Sequence, residues 1–470
     1  MIGITAIGAY IPRYRLSRDE IAKIWGIRSL GGEKAVVGYD EDTVTMGVSV
    51  ALDCLNQNPV DVSALSFAST TAPYREKQAA AIIASAVDLE RECDTADITN
   101  SLRAGTIALK SAVNSIRSDS AKGVIVIASD QRLGAAQSIF EQLFGDGAAA
   151  LTVSSNRVIA AIEGSYSVFN EFTDTWRAEK DTFVRSSESR FTEAVGYLAT
   201  MQEVISSLLR RYKLTPANFS KLVCYAPDAK SQVTLANSLG FDKTQVQDLF
   251  FDRVGNSGTA AAFITLVAAL EEAVPGDRIL FASYGDGGDA FILSVTENIK
   301  EIRKKSIVKD QLAKRVPIDY GRYATWRNLV HLEASRLPEH PAPSIPCLSR
   351  ERRSILALYG VKCNRCGTPQ YPPTRVCAVC QSKDDFESYK FSQRTGKVFT
   401  YAVDFLQPTQ NPPGVNGIID FDGGGRFTCE FTDCDPTKVK VGMPVEMTFR
   451  RLYQSEGLNN YFWKARPFME

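Results

Sequence analysis

The chain has 470 residues, 44% of them hydrophobic and 23% charged, and its 54 basic and 54 acidic residues cancel to a formal net charge of zero. This composition is typical of a globular protein of about two to four domains, and it provides no basic excess for binding nucleic acid or an anionic membrane. No apolar run reaches the roughly 18 residues of a membrane span, and the amino terminus lacks the basic region of a secretory signal, so we expect a cytoplasmic protein.

The counts of histidine and cysteine constrain the chemistry. The two histidines are His331 and His340, so residues 1–330 contain no imidazole. Four of the ten cysteines lie within 363–380 and the other six are scattered. This distribution favours a metal site with reduced core thiols over a disulfide framework.

Short apolar strands alternate with amphipathic helices along the first part of the chain, which is typical of an α/β fold. The elements predicted in chain order are a strand at 1–12, helices at 16–26 and 40–55, a strand at 64–68, a helix at 78–87, a strand at 96–99, a helix at 104–116 and a strand at 123–129.

Two parts of this region repeat each other. A Gly-Asp-Gly turn begins at Gly145 after one predicted strand, and a second begins at Gly285 after another. Likewise, the Asn-Ser pair at Asn100 precedes an apolar helix, and so does the Asn-Ser pair at Asn256. A single Gly-Asp-Gly is only a turn, but two copies in the same context predict two copies of one α/β unit.

A change of composition near residue 300 marks a domain boundary. We predict a linker at 316–350, which includes the proline-rich stretch Leu337–Ser349, followed by a helix at 349–359.

Two Cys-x-x-Cys pairs lie in a predicted domain at 351–390: Cys363 with Cys366, and Cys377 with Cys380. Four thiolates at this spacing surround Zn²⁺ tetrahedrally and leave no open coordination position, so we predict a structural zinc ribbon. No thioredoxin-like unit surrounds either pair, which argues against a redox role.

The remaining residues, 391–470, are rich in strands and predict a small closed barrel, an OB-fold. The five predicted strands are 396–405, 415–421, 426–432, 445–452 and 461–467. Because the barrel has no basic excess interleaved with aromatic residues, we do not expect it to bind nucleic acid.

The stretch Ser-Leu-Arg-Ala-Gly-Thr at 101–106 resembles the nucleophile turn Ala-Cys-Lys-Ala-Gly-Thr of archaeal-type 3-hydroxy-3-methylglutaryl-CoA (HMG-CoA) synthases, members of the thiolase superfamily. The start of the chain, Gly-Ala-Tyr-Ile-Pro-Arg-Tyr-Arg-Leu, is similar to these synthases almost residue for residue. The ribbon and barrel resemble the acyl-CoA-associated domain that accompanies them as a separate subunit. The resemblance implies a thiolase-like fold with duplicated α/β halves at 1–165 and 166–315, and a coenzyme A thioester as substrate.

The same resemblance places unexpected residues at the catalytic positions of the family. Thr70 stands at the position of the general-acid glutamate, Leu102 at the cysteine and Tyr225 at the histidine, whereas Asn256 is retained. An acyl-enzyme requires a thiolate or an activated hydroxyl with a base nearby, and leucine provides neither.

Three neighbouring side chains are weaker alternatives to the missing nucleophile. Ser101 has no imidazole in the first 330 residues to accept its proton, and Cys93 and Cys224 are expected to be buried core thiols.

Aldol or retro-aldol chemistry requires oxyanion stabilisation and proton transfer but no acyl-enzyme. We expect Tyr225 to donate a proton at a reacting oxygen, and Asn256 with the backbone near Gly285 to hold a thioester or enolate oxygen. An ordinary tyrosine, with a pKa of about 10, is a hydrogen-bond donor rather than a base at neutral pH. The alternative interpretation is that Tyr225 only fills the space of the missing imidazole.

The function therefore stays open between two classes. In the first, the chain is an acyl-CoA-handling subunit of a complex that forms or cleaves carbon–carbon bonds, by analogy with a related assembly that acts as a steroid side-chain aldolase. In the second, it is a non-catalytic scaffold that docks a partner thiolase and shares its CoA passage. A genuine HMG-CoA synthase is the third possibility. The resemblance implies a cysteine-bearing thiolase as partner and a homodimer within a hetero-oligomer.

Overall fold

The computed structural model describes residues 1–58, 60–302, 307–333 and 340–468. The chain divides into two compact units, one formed by 1–37, 42–81 and 90–323, the other by 38–41, 82–89 and 324–470. No helix within the described ranges is long and apolar enough to cross a membrane.

The strands up to residue 318 lie in the first unit. They are β1 (Gly3–Tyr10), β2 (Tyr14–Ser17), β3 (Glu33–Val36), β4 (Ala64–Ala68), β5 (Asp94–Ile98), β6 (Gly123–Gln131), β7 (Asp146–Ser154), β8 (Ala160–Phe169), β9 (Thr175–Trp176), β10 (Arg185–Ser186), β11 (Lys221–Cys224), β12 (Arg278–Tyr284), β13 (Gly287–Val295) and β14 (Val316–Ile318).

Helices connect these strands. They are α1 (Arg18–Trp25), α2 (Thr43–Gln57), α3 (Ala79–Val87), α4 (Ala104–Arg117), α5 (Ile139–Leu143), α6 (Ser189–Phe191), α7 (Ala199–Tyr212), α8 (Ala229–Leu239), α9 (Thr259–Glu272), α10 (Ile299–Ile302), α11 (Ile307–Ala313) and α12 (Tyr320–Trp326). A π-helix at Thr192–Leu198 joins α6 to α7, and 3₁₀ turns lie at Pro216–Asn218 and Lys243–Gln245.

A nine-stranded mixed sheet forms the centre of the first unit, with the strand order β11-β12-β13-β8-β1-β7-β6-β4-β5. The predicted repeat is visible in it, because β6 pairs antiparallel with β7 as β12 pairs with β13. The Gly-Asp-Gly sequences lie where β7 and β13 begin. The thiolase-like fold of two duplicated halves is thus confirmed.

Helices α4 and α9 correspond in the two halves, and both are largely buried. Gly105 on α4 explains how closely they approach: a Cβ there would lie 2.8 Å from the ring of Phe263 on α9. A larger side chain at 105 would therefore push the start of α4 away from α9.

Capping residues determine where the first helices begin. Ser17 caps α1, because its hydroxyl accepts a hydrogen bond from the Asp19 N–H. The helix predicted at 16–26 therefore starts two residues later. Gly26, with φ of 63°, ends the helix as predicted. Asp42 caps α2 with a reciprocal bond to Thr45, so the helix predicted at 40–55 begins at residue 43.

The second unit contains the predicted ribbon and barrel. Its helices are α13 (Ile345–Arg350) and α14 (Arg352–Leu356), and its strands are β15 (Tyr359–Cys363), β16 (Pro369–Gln370), β17 (Phe386–Lys390), β18 (Thr395–Asp404), β19 (Gly414–Phe421), β20 (Arg426–Glu430), β21 (Pro444–Ser455) and β22 (Leu458–Pro467). The last five form one sheet in the order β20-β19-β18-β21-β22. A parallel bridge between Phe431 and Ala465 joins its two ends, which closes the OB-fold barrel.

The structure differs from the sequence prediction in two segments, the helix predicted at 349–359 and the linker predicted at 316–350. The helix predicted at 349–359 is divided between α13 and α14 and ends at Leu356, because Leu358 adopts φ of 54° and Tyr359 pairs with Lys390 in a sheet. Within the linker predicted at 316–350, the first residues form β14 and α12. Part of the proline-rich stretch, 337–339, lies outside the described residues.

The second unit also buries charged side chains. The Arg450 guanidinium is 3.1 Å from a Glu41 carboxylate oxygen and 2.7 Å from Asp433, and the Lys464 ammonium is 3.0 Å from Asp40. Each of these side chains is at most 4% exposed. Removing one partner would leave a buried charge uncompensated, so we regard this cluster as structural.

Candidate active site

The turn between β5 and α4 contains the stretch that resembles the family's nucleophile turn. Asn100 adopts φ of 70°, and α4 begins two residues after Leu102. Gly285 passes close to this turn: a Cβ on it would lie 2.8 Å from the Arg103 nitrogen and 2.9 Å from the Leu102 nitrogen. Only glycine fits there, and its φ of 151° is also one that other residues rarely adopt.

Ser101 is held in a structural role. Its hydroxyl donates to the Gly285 carbonyl oxygen at 3.1 Å. That hydrogen bond fixes the approach of the two turns, and it engages the proton that a nucleophilic serine would have to pass to a base.

The backbone near Gly285 is expected to hold a reacting oxygen, and the two backbone groups of Gly285 are themselves engaged within the protein. Its N–H donates to the Gly287 carbonyl at 3.0 Å, and its own carbonyl accepts from Ser101. The Leu102 N–H, in contrast, has no acceptor among the described residues, and it lies at the positive end of the α4 dipole.

Thr70, which is predicted to stand at the glutamate position, is bound to a buried carboxylate that the sequence analysis did not identify. Asp130, at the end of β6, accepts hydrogen bonds from the Ser69 hydroxyl at 3.0 Å, from the Thr70 N–H and hydroxyl at 2.7 and 3.0 Å, from the Thr71 hydroxyl at 2.7 Å and from the Thr259 N–H at 2.8 Å. It is 0% exposed. With five donors, this carboxylate is an anchor for the loop after β4 and for the start of α9.

Tyr225 and Asn256, the two predicted catalytic residues, contact each other. The Asn256 amide donates to the Tyr225 hydroxyl oxygen at 3.0 Å, and the Asn256 carbonyl oxygen accepts from the Gly258 N–H at 3.0 Å. Both residues are buried, at 4% and 5% exposure. Burial raises the pKa of Tyr225, while the charge of Arg132 and the bond from Asn256 oppose the shift. Tyr225 is therefore a neutral phenol at neutral pH.

Two further tyrosines surround Tyr225. The Tyr284 ring stacks on it with centroids 6.4 Å apart, and the Tyr197 hydroxyl donates to the Tyr225 carbonyl at 2.9 Å. Burial first, and then the negative charge of the nearby Asp174 carboxylate, raise the pKa of Tyr284 well above its usual value. No sequence motif indicated Tyr197 or Asp174.

A cavity of about 310 Å³ lies beside these groups. It is lined by Thr70, Thr71, Asn100, Ser101, Leu102, Arg132, Asp174, Thr175, Trp176, Arg177, Val184, Gly285 and Asp286. The lining includes Thr70 and Leu102, which are predicted to stand at the family's glutamate and cysteine positions, but not Tyr225 or Asn256. Two charged neighbours that act on Tyr225, Arg132 and Asp174, belong to it.

The cysteines near the site are unsuited to nucleophilic attack. Burial raises the pKa of Cys224 to about 12 and that of Cys93 to about 11, so both are thiols at neutral pH. Cys224 is buried, as expected of a core residue, whereas Cys93 is only partly buried.

The four ribbon cysteines fit a zinc ion. Their sulfur atoms all lie within 4.8 Å of one another, and a tetrahedron with metal–sulfur bonds of about 2.3 Å has edges of about 3.8 Å. The two knuckles have the same backbone turn: the Gly367 N–H donates to the Cys363 carbonyl at 2.8 Å, and the Gln381 N–H to the Cys377 carbonyl at 3.0 Å. The ribbon therefore holds a structural Zn²⁺, and all four of its positions are taken by sulfur.

We predict that Asp130→Asn lowers the free energy of unfolding by about 3 kcal/mol, because a buried charged acceptor of several donors is lost. Urea unfolding of the full chain measures the change. Glu171→Gln, a carboxylate-to-amide change on an exposed loop, is the control, with an effect of about 0.5 kcal/mol or less. Equal unfolding midpoints for Asp130→Asn and the native chain would refute the anchoring role.

We predict about one zinc per chain by metal analysis, and its loss in Cys363→Ser, because metal binding supplies the folding energy of a ribbon. Amide hydrogen exchange should then rise in 351–390 and stay unchanged in the nine-stranded sheet. Cys347→Ser, which alters an exposed cysteine outside the cluster, should keep the zinc. A zinc-free chain with a fully protected ribbon would contradict this assignment.

Comparison with protein-family models gives three matches. Residues 96–166 match 3-oxoacyl-[acyl-carrier-protein] synthase III, residues 350–387 match the rubredoxin-like zinc ribbon domain of ChsH2, and residues 389–450 match the C-terminal OB-fold domain of ChsH2.

Curated relatives cover most of the chain. It is 34% identical over 337 residues to the hydroxymethylglutaryl-CoA synthase of Methanopyrus kandleri, an alignment that spans 69% of this chain and 96% of the relative. The enzyme of Pyrococcus horikoshii is 34% identical over 336 residues, with the same shares.

Solved structures agree on the fold. An HMG-CoA synthase complexed with CoA superimposes with a TM-score of 0.63 at 19% identity, covering 69% of this chain and 89% of that one. The 3-oxoacyl-[acyl-carrier-protein] synthase III of Aquifex aeolicus superimposes with a TM-score of 0.57 at 22% identity, covering 63% and 100%. These identities support the fold alone, and the assignment of Thr70, Leu102 and Tyr225 to catalytic positions stays a prediction.

Proposed function

Since this chain belongs to the hydroxymethylglutaryl-CoA synthase family, we propose that it binds coenzyme A thioesters. It takes part in forming or cleaving carbon–carbon bonds by Claisen- or aldol-type reactions, without an acyl-enzyme intermediate. The observation that supports this most directly is the position of Leu102. Its side chain lines a polar cavity at the start of α4, where a nucleophile would have to stand. Leucine cannot carry an acyl group. The cavity and the helix terminus, in contrast, suit a thioester and the negative charge that develops on its oxygen when the enolate forms.

Tyr225 and Asn256 are proposed as the proton-donating pair of this chemistry. Asn256 holds the Tyr225 oxygen from one side, and no described residue accepts the hydroxyl hydrogen. Because burial keeps Tyr225 protonated, it can donate to a developing alkoxide or enolate but cannot act as a base. Neither residue lines the cavity, so a substrate would have to reach them past Arg132 or Asp174.

The alternative is a scaffold that docks a partner thiolase and shares its CoA passage. The barrel supports a docking role, because Phe405 and Leu406, which follow β18, are 77% and 89% exposed. Adjacent exposed side chains of this size are characteristic of interaction surfaces. A Tyr225→Phe variant distinguishes the two functions: loss of turnover in the complex favours chemistry in this chain, and full turnover favours the scaffold.

A homodimer within the complex is also proposed. In the described sheet, β5 is an edge strand whose outer side pairs with no other strand. Such an edge can pair with the same edge of a second copy.

We predict that the full chain forms a stable complex with a cysteine-bearing thiolase through the barrel. The two proteins, co-expressed, should elute together from a size-exclusion column. Phe405→Ser combined with Leu406→Ser should separate them and lower acyl-CoA turnover by the thiolase, because the contact loses its apolar anchors.

Phe169→Ser is the matched control, since Phe169 is 87% exposed but lies at the end of β8. It should leave the complex intact. If the native proteins elute separately and thiolase turnover does not depend on this chain, the bridging role is lost and a self-contained activity is the better account.

A further inference from the structure

We propose that Asp174 is the catalytic base that removes the α-proton of the bound thioester, and that Tyr284 positions its carboxylate. The inference rests on the proposed function, because it supplies the base that carbon–carbon bond formation at a thioester requires.

The need for a new base follows from Thr70. A threonine hydroxyl cannot accept an α-proton at neutral pH, and this one already donates to Asp130. Asp130 is saturated by five donors and is absent from the cavity lining. The carboxylates that do line the cavity belong to Asp174 and Asp286.

Asp174 is held by its own loop and lies near the end of β12. Within the loop, the Thr175 N–H donates to one carboxylate oxygen at 2.5 Å, and the Asp174 carbonyl accepts from the Ser187 N–H at 3.0 Å. Burial raises the pKa of Tyr284, at the end of β12, and this carboxylate lies close enough for its negative charge to raise that pKa further. The Asp286 carboxylate accepts no hydrogen bond from a described residue.

The surroundings of Tyr284 fix its hydroxyl. Its ring packs edge-on against Tyr197 with centroids 5.4 Å apart and stacks on Tyr225. A Cβ on Gly196 would lie 2.9 Å from the Tyr284 hydroxyl oxygen. Gly196 and Tyr197 both belong to the π-helix at 192–198, and π-helical turns of this kind are frequent at functional sites. The irregular turn thus provides both the space and the packing that aim Tyr284 at Asp174.

The proposed step is balanced without an added reagent. The Asp174 carboxylate takes a proton from the α-carbon of the thioester, the C–H electron pair moves into the carbon–carbon bond of the enolate, and the thioester oxygen becomes negative. The Leu102 N–H at the start of α4 is available to that oxygen. In the cleavage direction, the protonated Asp174 returns the proton to the enolate carbon.

The test measures loss of deuterium to water from acetyl-CoA deuterated on its methyl group, by mass spectrometry, with the full zinc-containing chain. This half-reaction requires no second substrate. The native chain should exchange, and Asp174→Asn should exchange at least about 100-fold more slowly, the usual contribution of a general base. Glu171→Gln, which removes an exposed carboxylate of the same loop, should match the native rate.

Two further variants separate chemistry from folding. Asp174→Ala should recover part of its rate when formate is added, because a small carboxylate can occupy the vacated space. Tyr284→Phe should slow exchange about tenfold, the value of one hydrogen bond to a charged group, while the dissociation constant for acetyl-CoA stays unchanged. Tyr212→Phe, at the end of α7, should change neither quantity.

The outcomes are distinct. Exchange by the native chain that persists in Asp174→Asn would overturn the assignment of the base but leave the proposed function standing. No exchange by the native chain would overturn both and favour the scaffold. A Tyr284→Phe variant that loses acetyl-CoA binding along with its exchange rate would refute the positioning role.

Discussion

The buried carboxylate of Asp130 is the interaction on which the arrangement of the site depends. It binds the loop after β4, which carries Thr70, and the first turn of α9 at Thr259. A carboxylate without solvent is tolerated only when its lone pairs are satisfied, so these two elements must meet at the end of β6. This requirement fixes the position of Thr70 and engages its hydroxyl in a structural hydrogen bond.

The approach of Gly285 to the turn of Leu102 then defines the cavity. Because the two backbones approach so closely that only glycine fits at position 285, they fix the shape of the site independently of the side chain at position 102. In the proposed chemistry, neighbouring groups act instead: the buried phenol of Tyr225, and the Asp174 carboxylate near Tyr284. If the predicted assignment of Thr70, Leu102 and Tyr225 holds, the proposed set of groups suits proton transfer at a thioester and cannot hold an acyl group.

Features encoded locally were predictable from the sequence, and contacts between distant segments were not. The Cys-x-x-Cys spacing identified the ribbon, and the paired Gly-Asp-Gly turns identified the duplicated fold. No local pattern in the sequence indicates that Asp174 lines the cavity, because its surroundings include Tyr284, which is far away in the chain. For the same reason the helix predicted at 349–359 was too long, since the pairing of Tyr359 with Lys390 overrides local helix propensity.

We propose that the site binds a thioester but lacks the thiol that would accept its acyl group. The direct test is intact-protein mass spectrometry of the native chain and of Leu102→Cys after incubation with acetyl-CoA. We predict no acetyl group on the native chain and one on the variant, because a thiol at the start of α4 has its thiolate stabilised by the helix dipole. An acetylated native chain, or a folded Leu102→Cys variant that stays unmodified, would contradict the account.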